Sequence, residues 1–459
     1  MGQERSTLQP SGLTDGQDAA AERVSGLLHL FSAGVACAAA VPLGGEELEL
    51  GRGHAALGDA QDPRMSRRHA RIRFDGKRFW VTDLGSQNGT FVDGEQVPAQ
   101  TPREVQRVLR MGDSLFVPSP DVGPLKKLGV QVVEGFVRGP ALQRLLAEVA
   151  RAAELGFSLH IHGESGTGKE GVARAFHQHG PQKAGPFVAV NCAAIPQGLA
   201  ERLLFGAKRG AYSGADDAEG YLQAAHGGTL FLDEVVELEP AVQAKLLRAL
   251  ETREVLPLGS SKPRKVDLLV CSASHQDLRA LVSTGKLRED LYFRIGRPEV
   301  ALPPLRKRPE EIPLLLQRAV EPLASGPRLH VSFVEACLLR PWPGNVRELL
   351  VEARSAAQAA LMQDAQRLEA RHLSPSAGTA FGASTLLPAT AEKPAPPHEA
   401  PSRAPPLEAT ERARIEEALK QNGGNVAATA RALGMHRTQL RRLLERYAIS
   451  TATDTRDVD

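Results

Sequence analysis

The sequence predicts a multidomain chain of three fold classes in succession: an all-β sandwich, an α/β domain, and an all-α helix-turn-helix. Three observations carry this. Short apolar runs parted by Gly and Asp turns fill the first quarter, strands alternating with helices fill the middle, and two short helices meeting at a glycine close the chain.

With 459 residues, 42% of them hydrophobic, the chain can bury two or three separate cores. Its formal net charge of only +2 gives no bulk attraction to nucleic acid or membrane, so any basic surface has to be local. Cys37, Cys192, Cys271 and Cys337 are scattered without a C-x-x-C pair, which indicates neither a metal knuckle nor a disulfide framework and fits a cytoplasmic protein. The apolar stretch from Leu27 to Leu43 is short, contains His29, Ser32 and Gly34, and reads as β-strands instead of a membrane span.

Residues 1–25 are polar and read as a disordered lead-in. The β unit follows over 26–120. Its runs Leu48–Leu50, Ala70–Phe74, Phe79–Thr82 and Ser114–Val117 are separated by turn residues, and Asp75-Gly76 and Asp93-Gly94 read as hairpin turns. Gly51-Arg52, Ser66-Arg67-Arg68-His69 and Ser86-Gln87-Asn88-Gly89-Thr90 occur in the order that resembles the forkhead-associated (FHA) domain, a sandwich whose loops bind phosphothreonine peptides. That resemblance assigns Arg52 and Ser66 to the phosphate, Arg67 to supporting contacts, Asn88 to the peptide backbone and His69 to a bond within the loops. A guanidinium fork beside a hydroxyl donor suits a dianion.

Residues 121–136 carry Pro and Gly and read as a linker, after which Leu142 to Leu155 has helical periodicity and opens an α/β domain over 137–373. Strands are expected at Leu159–Ile161, Phe187–Val190, Thr229–Leu232 and Asp267–Cys271. Between the first strand and a helix lies Gly163-Glu164-Ser165-Gly166-Thr167-Gly168-Lys169. In such a loop, glycines let backbone N–H groups turn toward phosphates, the helix N-terminus adds partial positive charge, and Lys169 reaches the outer phosphates. The run Leu230-Phe231-Leu232-Asp233-Glu234 delivers two carboxylates at a strand end. Asp233 is placed to hold Mg²⁺ and Glu234 to polarise the water that attacks the γ-phosphate of ATP. Glu170 stands where Ser or Thr usually supplies a magnesium ligand, which throws more of that task onto Asp233.

From about Gly135 to Leu373 the chain resembles the AAA+ domain of sigma-54-dependent transcriptional activators. The resemblance rests on Gly163 to Glu170, Phe187 to Ala194, Gly227 to Glu234, Leu287 to Arg294, Leu302 to Arg308 and Trp342 to Leu349. It implies an ATPase acting as a homo-oligomeric ring, a hexamer, with a lid over about 306–373. Arg288 and Arg294 stand at the family's arginine-finger positions, Arg347 at its second sensor, and Asn191 at the residue that restrains the catalytic Glu234. Gly210-Ala211-Tyr212-Ser213-Gly214-Ala215 aligns with the loop that engages sigma-54 RNA polymerase, with Tyr212 for Phe and Ser213 for Thr. Leu203, Ala207 and Lys208 depart from the family's usual Glu, His and acid. His275 stands where the first sensor is commonly Asn and is given no catalytic role.

Residues 374–406 are rich in Pro and Ala and read as a tether. In the last unit, 407–450, Gly423-Gly424-Asn425 signals a helix start, Gly434 a turn, and Leu440, Leu443, Leu444 and Tyr447 recur at helical spacing. Five arginines against one glutamate between Arg431 and Arg446 make a local basic patch for DNA. Arg437, Thr438 and Gln439 lie near the start of the second helix, with Arg437 and Gln439 suited to base edges and Arg441 and Arg442 to phosphates. This segment resembles the Fis-type module of the same activators. The expected function is therefore an ATP-dependent activator of sigma-54 polymerase, bound to an enhancer-like upstream site and controlled by a phosphothreonine-containing partner. The alternative is a DNA-bound regulator or scaffold whose ring hydrolyses ATP without engaging sigma-54.

Overall fold

The computed structural model describes residues 23–45, 47–58, 62–211, 216–321, 327–380, 415–423, 425–433, 435, 440 and 444. The chain divides into two compact units, Met1–Thr385 and Leu386–Asp459.

The first unit opens with ten strands: β1 Gly26–Ser32, β2 Val35–Pro42, β3 Glu47–Leu50, β4 Ala70–Phe74, β5 Phe79–Asp83, β6 Thr90–Val92, β7 Glu95–Gln96, β8 Pro102–Val105, β9 Leu109–Met111 and β10 Ser114–Ser119. They form two antiparallel sheets, ordered β2-β1-β10-β9-β6-β7 and β3-β4-β5-β8. Alternation along the strands sends Leu27, Leu50, Ile72, Val81 and Phe116 into the space between the sheets. At the β6–β7 hairpin, Asp93 (φ 52°) and Gly94 (φ 91°) both take the left-handed conformation that a two-residue hairpin turn requires.

Strand β1 is buried along its whole length because both of its faces are covered. Leu27 points into the sandwich, whereas Leu28, Leu30 and Phe31 join Val108 and Leu115 in a second core shared with the lid residues Leu315, Phe333, Val334 and Trp342. At the edge of that core Arg110 Nε donates to Glu335 Oε2 at 2.8 Å, with its guanidinium 3.6 Å from the Phe91 ring. Burial pushes the Glu335 carboxyl above its ordinary range, with Arg110 opposing.

The segment 121–136, expected as a bare linker, is folded. Asp121 Oδ1 accepts from Gly123 N at 2.9 Å and starts a helix over Gly123–Leu128, and the hairpin β11 Gln131–Val133 and β12 Phe136–Arg138 follows. Proline near the first turn initiates this helix instead of breaking it.

The α/β domain has five parallel strands in the order β14-β15-β18-β13-β19. These are β13 Leu159–His162, β14 Phe187–Asn191, β15 Thr229–Asp233, β18 Leu269–Ser274 and β19 Glu299–Ala301, with the short hairpin β16 Glu254–Val255 and β17 Arg264–Lys265 between β15 and β18. The expected strand over Asp267–Cys271 thus begins two residues later and runs on to Ser274, and β19 escaped the sequence pattern because three residues show no period. Lid helices Ile312–Val320, Val331–Leu338 and Asn345–Met362 follow.

In the second unit Ile415, Leu419, Ala430, Leu440 and Leu444 form a small core. Asn425 Oδ1 accepts from Ala428 N at 3.2 Å and caps the helix Val426–Ala432, as the Gly-Gly-Asn start suggested. Gly434, Arg437, Thr438, Gln439, Arg441, Arg442, Leu443 and Tyr447 lie outside the described residues.

Candidate functional site

Strand β13 ends at His162 and the helix Lys169–His179 begins at the lysine, so the intervening glycine-rich loop turns its backbone around the N-terminus of that helix. Gly166 (φ 75°) cannot be replaced by a residue with a side chain, because a Cβ there would overlap the carbonyl oxygen of Gly344. The loop therefore packs directly on the lid. Together they enclose a cavity of about 460 Å³ lined on one side by Ser165, Gly166, Thr167, Gly168, Lys169 and Glu170. Its apolar wall comprises Phe136, Val137, Leu315, Val346 and Leu350. Sequence reading missed that wall, since apolar residues at helical and strand spacing look like ordinary core.

Lys169 is 7% exposed, and its Nζ donates to Gly163 O and to Glu234 Oε1, both at 3.1 Å. Two members of the loop do not line the cavity. Gly163 offers its carbonyl to the lysine, and Glu164 is turned to the lid, where Arg306 Nη2 donates to Oε1 at 2.6 Å and Asn345 Nδ2 to Oε2 at 3.1 Å. The Gly163 carbonyl and the Glu164 carboxylate thus hold the loop's shape and its contact with the lid. Glu170 lines the mouth and pairs with Arg174 one helical turn on.

Asp233 ends β15 and Glu234 follows it with φ 53°, a left-handed conformation uncommon for a residue with a side chain and of the kind that collects at functional sites. Asp233 Oδ1 is buried without a hydrogen-bond partner. Burial raises its carboxyl above the usual range, against the pull of Lys169. An unpartnered buried carboxylate oxygen beside a phosphate-binding loop fits a hard cation such as Mg²⁺. Among the described residues no group of three His, Cys, Asp or Glu forms a cage on its own, so phosphate and water oxygens would have to complete the shell.

Glu234 uses both oxygens: Oε1 accepts from Lys169, and Oε2 accepts from His275 Nδ1 at 2.8 Å. Burial pushes this carboxyl up, but the bonds from His275 and Lys169 outweigh it and hold the group below the usual carboxylate range. Asn191, the expected restraint on Glu234, lines the cavity, yet its Oδ1 accepts from Ala193 N at 3.0 Å and caps the turn after β14. The partner that sequence reading passed over is His275.

Arg347 lines the cavity from the lid and its Nη1 donates to Ser165 Oγ at 3.2 Å. Arg288 and Arg294 lie outside the cavity wall. Arg288 pairs with Asp290 through two bonds, 3.0 and 2.7 Å, and Arg294 Nη2 donates to Leu250 O at 2.9 Å. Both side chains are exposed. Gly210 and Ala211 are described, whereas Tyr212, Ser213, Gly214 and Ala215 are not. The base of that loop is stitched to its neighbour: Lys208 N donates to Leu258 O and Leu258 N to Gly206 O, and Lys208 Nζ pairs with Asp217 at 3.3 Å.

In the sandwich, the predicted phosphate-binding residues gather at one loop end. Gly51 is required next to Arg52, because a Cβ at 51 would strike the carbonyl of Arg67. Ser66 N donates to His69 Nδ1 at 3.0 Å, His69 Nε2 meets Gly89 O at 3.2 Å, and Gln87 N donates to Ser66 Oγ at 3.1 Å. Arg52 and Arg67 are exposed, Arg52 Nη1 lying 3.3 Å from Pro63 O. Asn88 Nδ2 donates to Arg64 O at 2.8 Å. Asp83, which the sequence did not single out, organises the 86–90 loop: it accepts from Gly85 N, Ser86 N and Thr90 Oγ1 at 2.8, 3.0 and 2.6 Å.

Comparison with known proteins adds three family matches: the sigma-54 interaction domain over residues 136–301, the FHA domain over 48–113 and the Fis family of bacterial regulatory proteins over 406–447. The acetoin catabolism regulatory protein of Cupriavidus necator is 40% identical over 317 residues, covering 68% of this chain and 46% of that protein. The transcriptional regulatory protein GlrR of Escherichia coli K12 is 35% identical over 327 residues, covering 68% of this chain and 67% of its own length. The chain thus spans from under half to about two thirds of these relatives' lengths. NtrX from Brucella abortus in complex with ATP superposes with a TM-score of 0.48 at 29% identity, covering 67% of this chain and 68% of that one. Among the described residues no helix is long and apolar enough to cross a membrane.

Proposed function

We propose that this chain, which belongs to the sigma-54-dependent transcriptional activators and carries their AAA+ ATPase domain between FHA and Fis-type domains, couples ATP hydrolysis to remodelling of sigma-54 RNA polymerase. The observation that carries this reading is one cavity bringing together the glycine-rich loop, Lys169, Asp233, Glu234 and the lid residue Arg347. Within it the loop N–H groups and Lys169 bind the phosphates, Glu234 takes a proton from the attacking water, and Arg347 reports the nucleotide to the lid. Asp233 would hold Mg²⁺, which neutralises charge on the phosphate oxygens. Arg288 and Arg294 act on the site of the next copy in a hexameric ring, where such a finger is worth ~10³–10⁵ in rate.

The segment Gly210 to Ala215 contacts sigma-54. The sandwich reads phosphothreonine on a protein partner through Arg52 and Ser66, with Arg67 and Asn88 gripping the flanking peptide, and the last unit binds an upstream DNA site through Arg437, Thr438, Gln439, Arg441 and Arg442. The working domains are 26–120, 137–373 and 407–450, acting in the cytoplasm. Transcription from a sigma-54 promoter with purified components tests the whole scheme: ATP-dependent open-complex formation is expected. Turnover of ATP without open complexes would favour the scaffold reading, which the altered flank at Leu203, Ala207 and Lys208 motivates.

A further inference from the structure

In the glycine-rich loop three successive carbonyls accept bonds from the lid. Asn345 Nδ2 donates to Ser165 O at 3.0 Å, Arg347 N to Gly166 O at 3.3 Å and Arg308 Nη2 to Thr167 O at 3.1 Å. A trans peptide is planar with its C=O and N–H on opposite edges, so the bond made to a carbonyl sets where the N–H of the next residue points. Holding Ser165 O and Thr167 O therefore turns the N–H groups of Gly166 and Gly168 away from those lid atoms, and both glycines line the cavity.

The two side chains that do the holding are themselves locked. Arg308 is 1% exposed and its Nη1 donates to Glu311 Oε2 at 2.9 Å, while Glu311 Oε1 accepts from Gly139 N at 2.8 Å. Asn345 is fully buried, and its Oδ1 accepts from Leu305 N at 2.8 Å. A buried ion pair contributes little to stability once desolvation is counted, and this one leaves Arg308 Nε buried without a partner. Stability alone gives no reason to keep the pair, whereas a fixed guanidinium against Thr167 O does.

We propose that Arg308 and Asn345 are positioning residues that set the phosphate-binding face of the loop through its carbonyls, so that the lid holds the shape of the cradle. This rests on the reading of the cavity as a nucleotide site. Neither side chain needs to touch the nucleotide. A cation bonded to the Thr167 carbonyl also polarises the peptide, which makes the Gly168 N–H a stronger donor toward a phosphate oxygen.

The test is the affinity of the full-length chain for a fluorescent ADP analogue, measured beside thermal unfolding and steady-state ATP hydrolysis. R308M/E311Q removes both charges together and keeps an acceptor for Gly139 N, so no buried charge is stranded. N345D keeps the acceptor for Leu305 N and tolerates the positive φ of 53° at that position, but loses the donor to Ser165 O. Each should weaken ADP-analogue binding by ~10–100-fold, with KM for ATP rising in step and kcat falling less. V334A, a truncation in the lid core away from the loop, is the comparison for mere lid stability: it should lower the unfolding temperature and leave the affinity within ~2-fold. Unchanged affinity in both R308M/E311Q and N345D overturns the grip, as does a loss in V334A as large as theirs; the ATPase reading survives either result. Wild-type binding of the analogue with turnover no faster than that of K169A overturns the ATPase reading and leaves the grip standing, whereas no binding by the wild type overturns both.

Discussion

Two places in this chain are proposed to meet phosphate, and they are built in opposite ways. The loop Gly163–Lys169 is contiguous, works through backbone N–H groups at a helix N-terminus, and buries its one cation, Lys169. The loop end of the sandwich is assembled from segments around residues 52, 66 and 88, presents side chains, and leaves Arg52 and Arg67 exposed. His69 and Asp83 spend their polar atoms on the backbone and hydroxyl groups of the loops themselves. A backbone cradle takes its donors from glycines at a sheet edge, whereas a side-chain cradle needs buried residues whose sole task is to keep three loops in register.

The largest effect that tests this contrast is K169A. It should cut ATP turnover by at least ~10³-fold while phosphothreonine-peptide affinity, followed by fluorescence anisotropy, stays unchanged. Any loss of peptide binding would break the independence of the two cradles.

Acid probes the sandwich itself. Burial lowers the His29 imidazole from 6.5 to about 4, and both of its ring nitrogens are buried without partners. Because the folded value lies below the unfolded one, the stability that the neutral ring preserves is complete above pH 6.5 and is lost as pH falls toward 4, amounting to ~3 kcal/mol. H29F, which keeps the stacking on Phe116 and removes the titration, should flatten the dependence of urea unfolding on pH between 6.5 and 4.

R52A should weaken phosphothreonine-peptide binding by ~10–100-fold, the worth of a charged hydrogen bond, with ATP turnover unaffected. Retained affinity would move the phosphate away from this arginine. Smallest is R306A: the Arg306–Glu164 pair is partly exposed, so its loss should cost under ~1 kcal/mol and appear as a modest rise in KM for ATP with kcat preserved.

The same contrast explains what the sequence disclosed. Lys169, Asp233 and Glu234 were legible because each motif is short and its chemistry demands adjacency. Arg52 and Ser66 were legible only through the order of family motifs, and Asp83 was not legible at all, since an aspartate at a strand end looks solvated. His275 was seen but undervalued: its partner lies forty-one positions away, and only the pairing of β15 with β18 brings them together. Apolar residues such as Leu30 and Phe31 announced burial but not against which domain, so the core they share with the lid was invisible.

That shared core has a mechanical consequence. Prising β1 and β10 from the lid would expose Leu28, Leu30 and Phe31 on one side and Phe333 and Val334 on the other, and would strand Glu335 opposite water-seeking Arg110. Sandwich and lid therefore share one core, so a load on the sandwich bears on the helix that carries Arg347 through packed side chains.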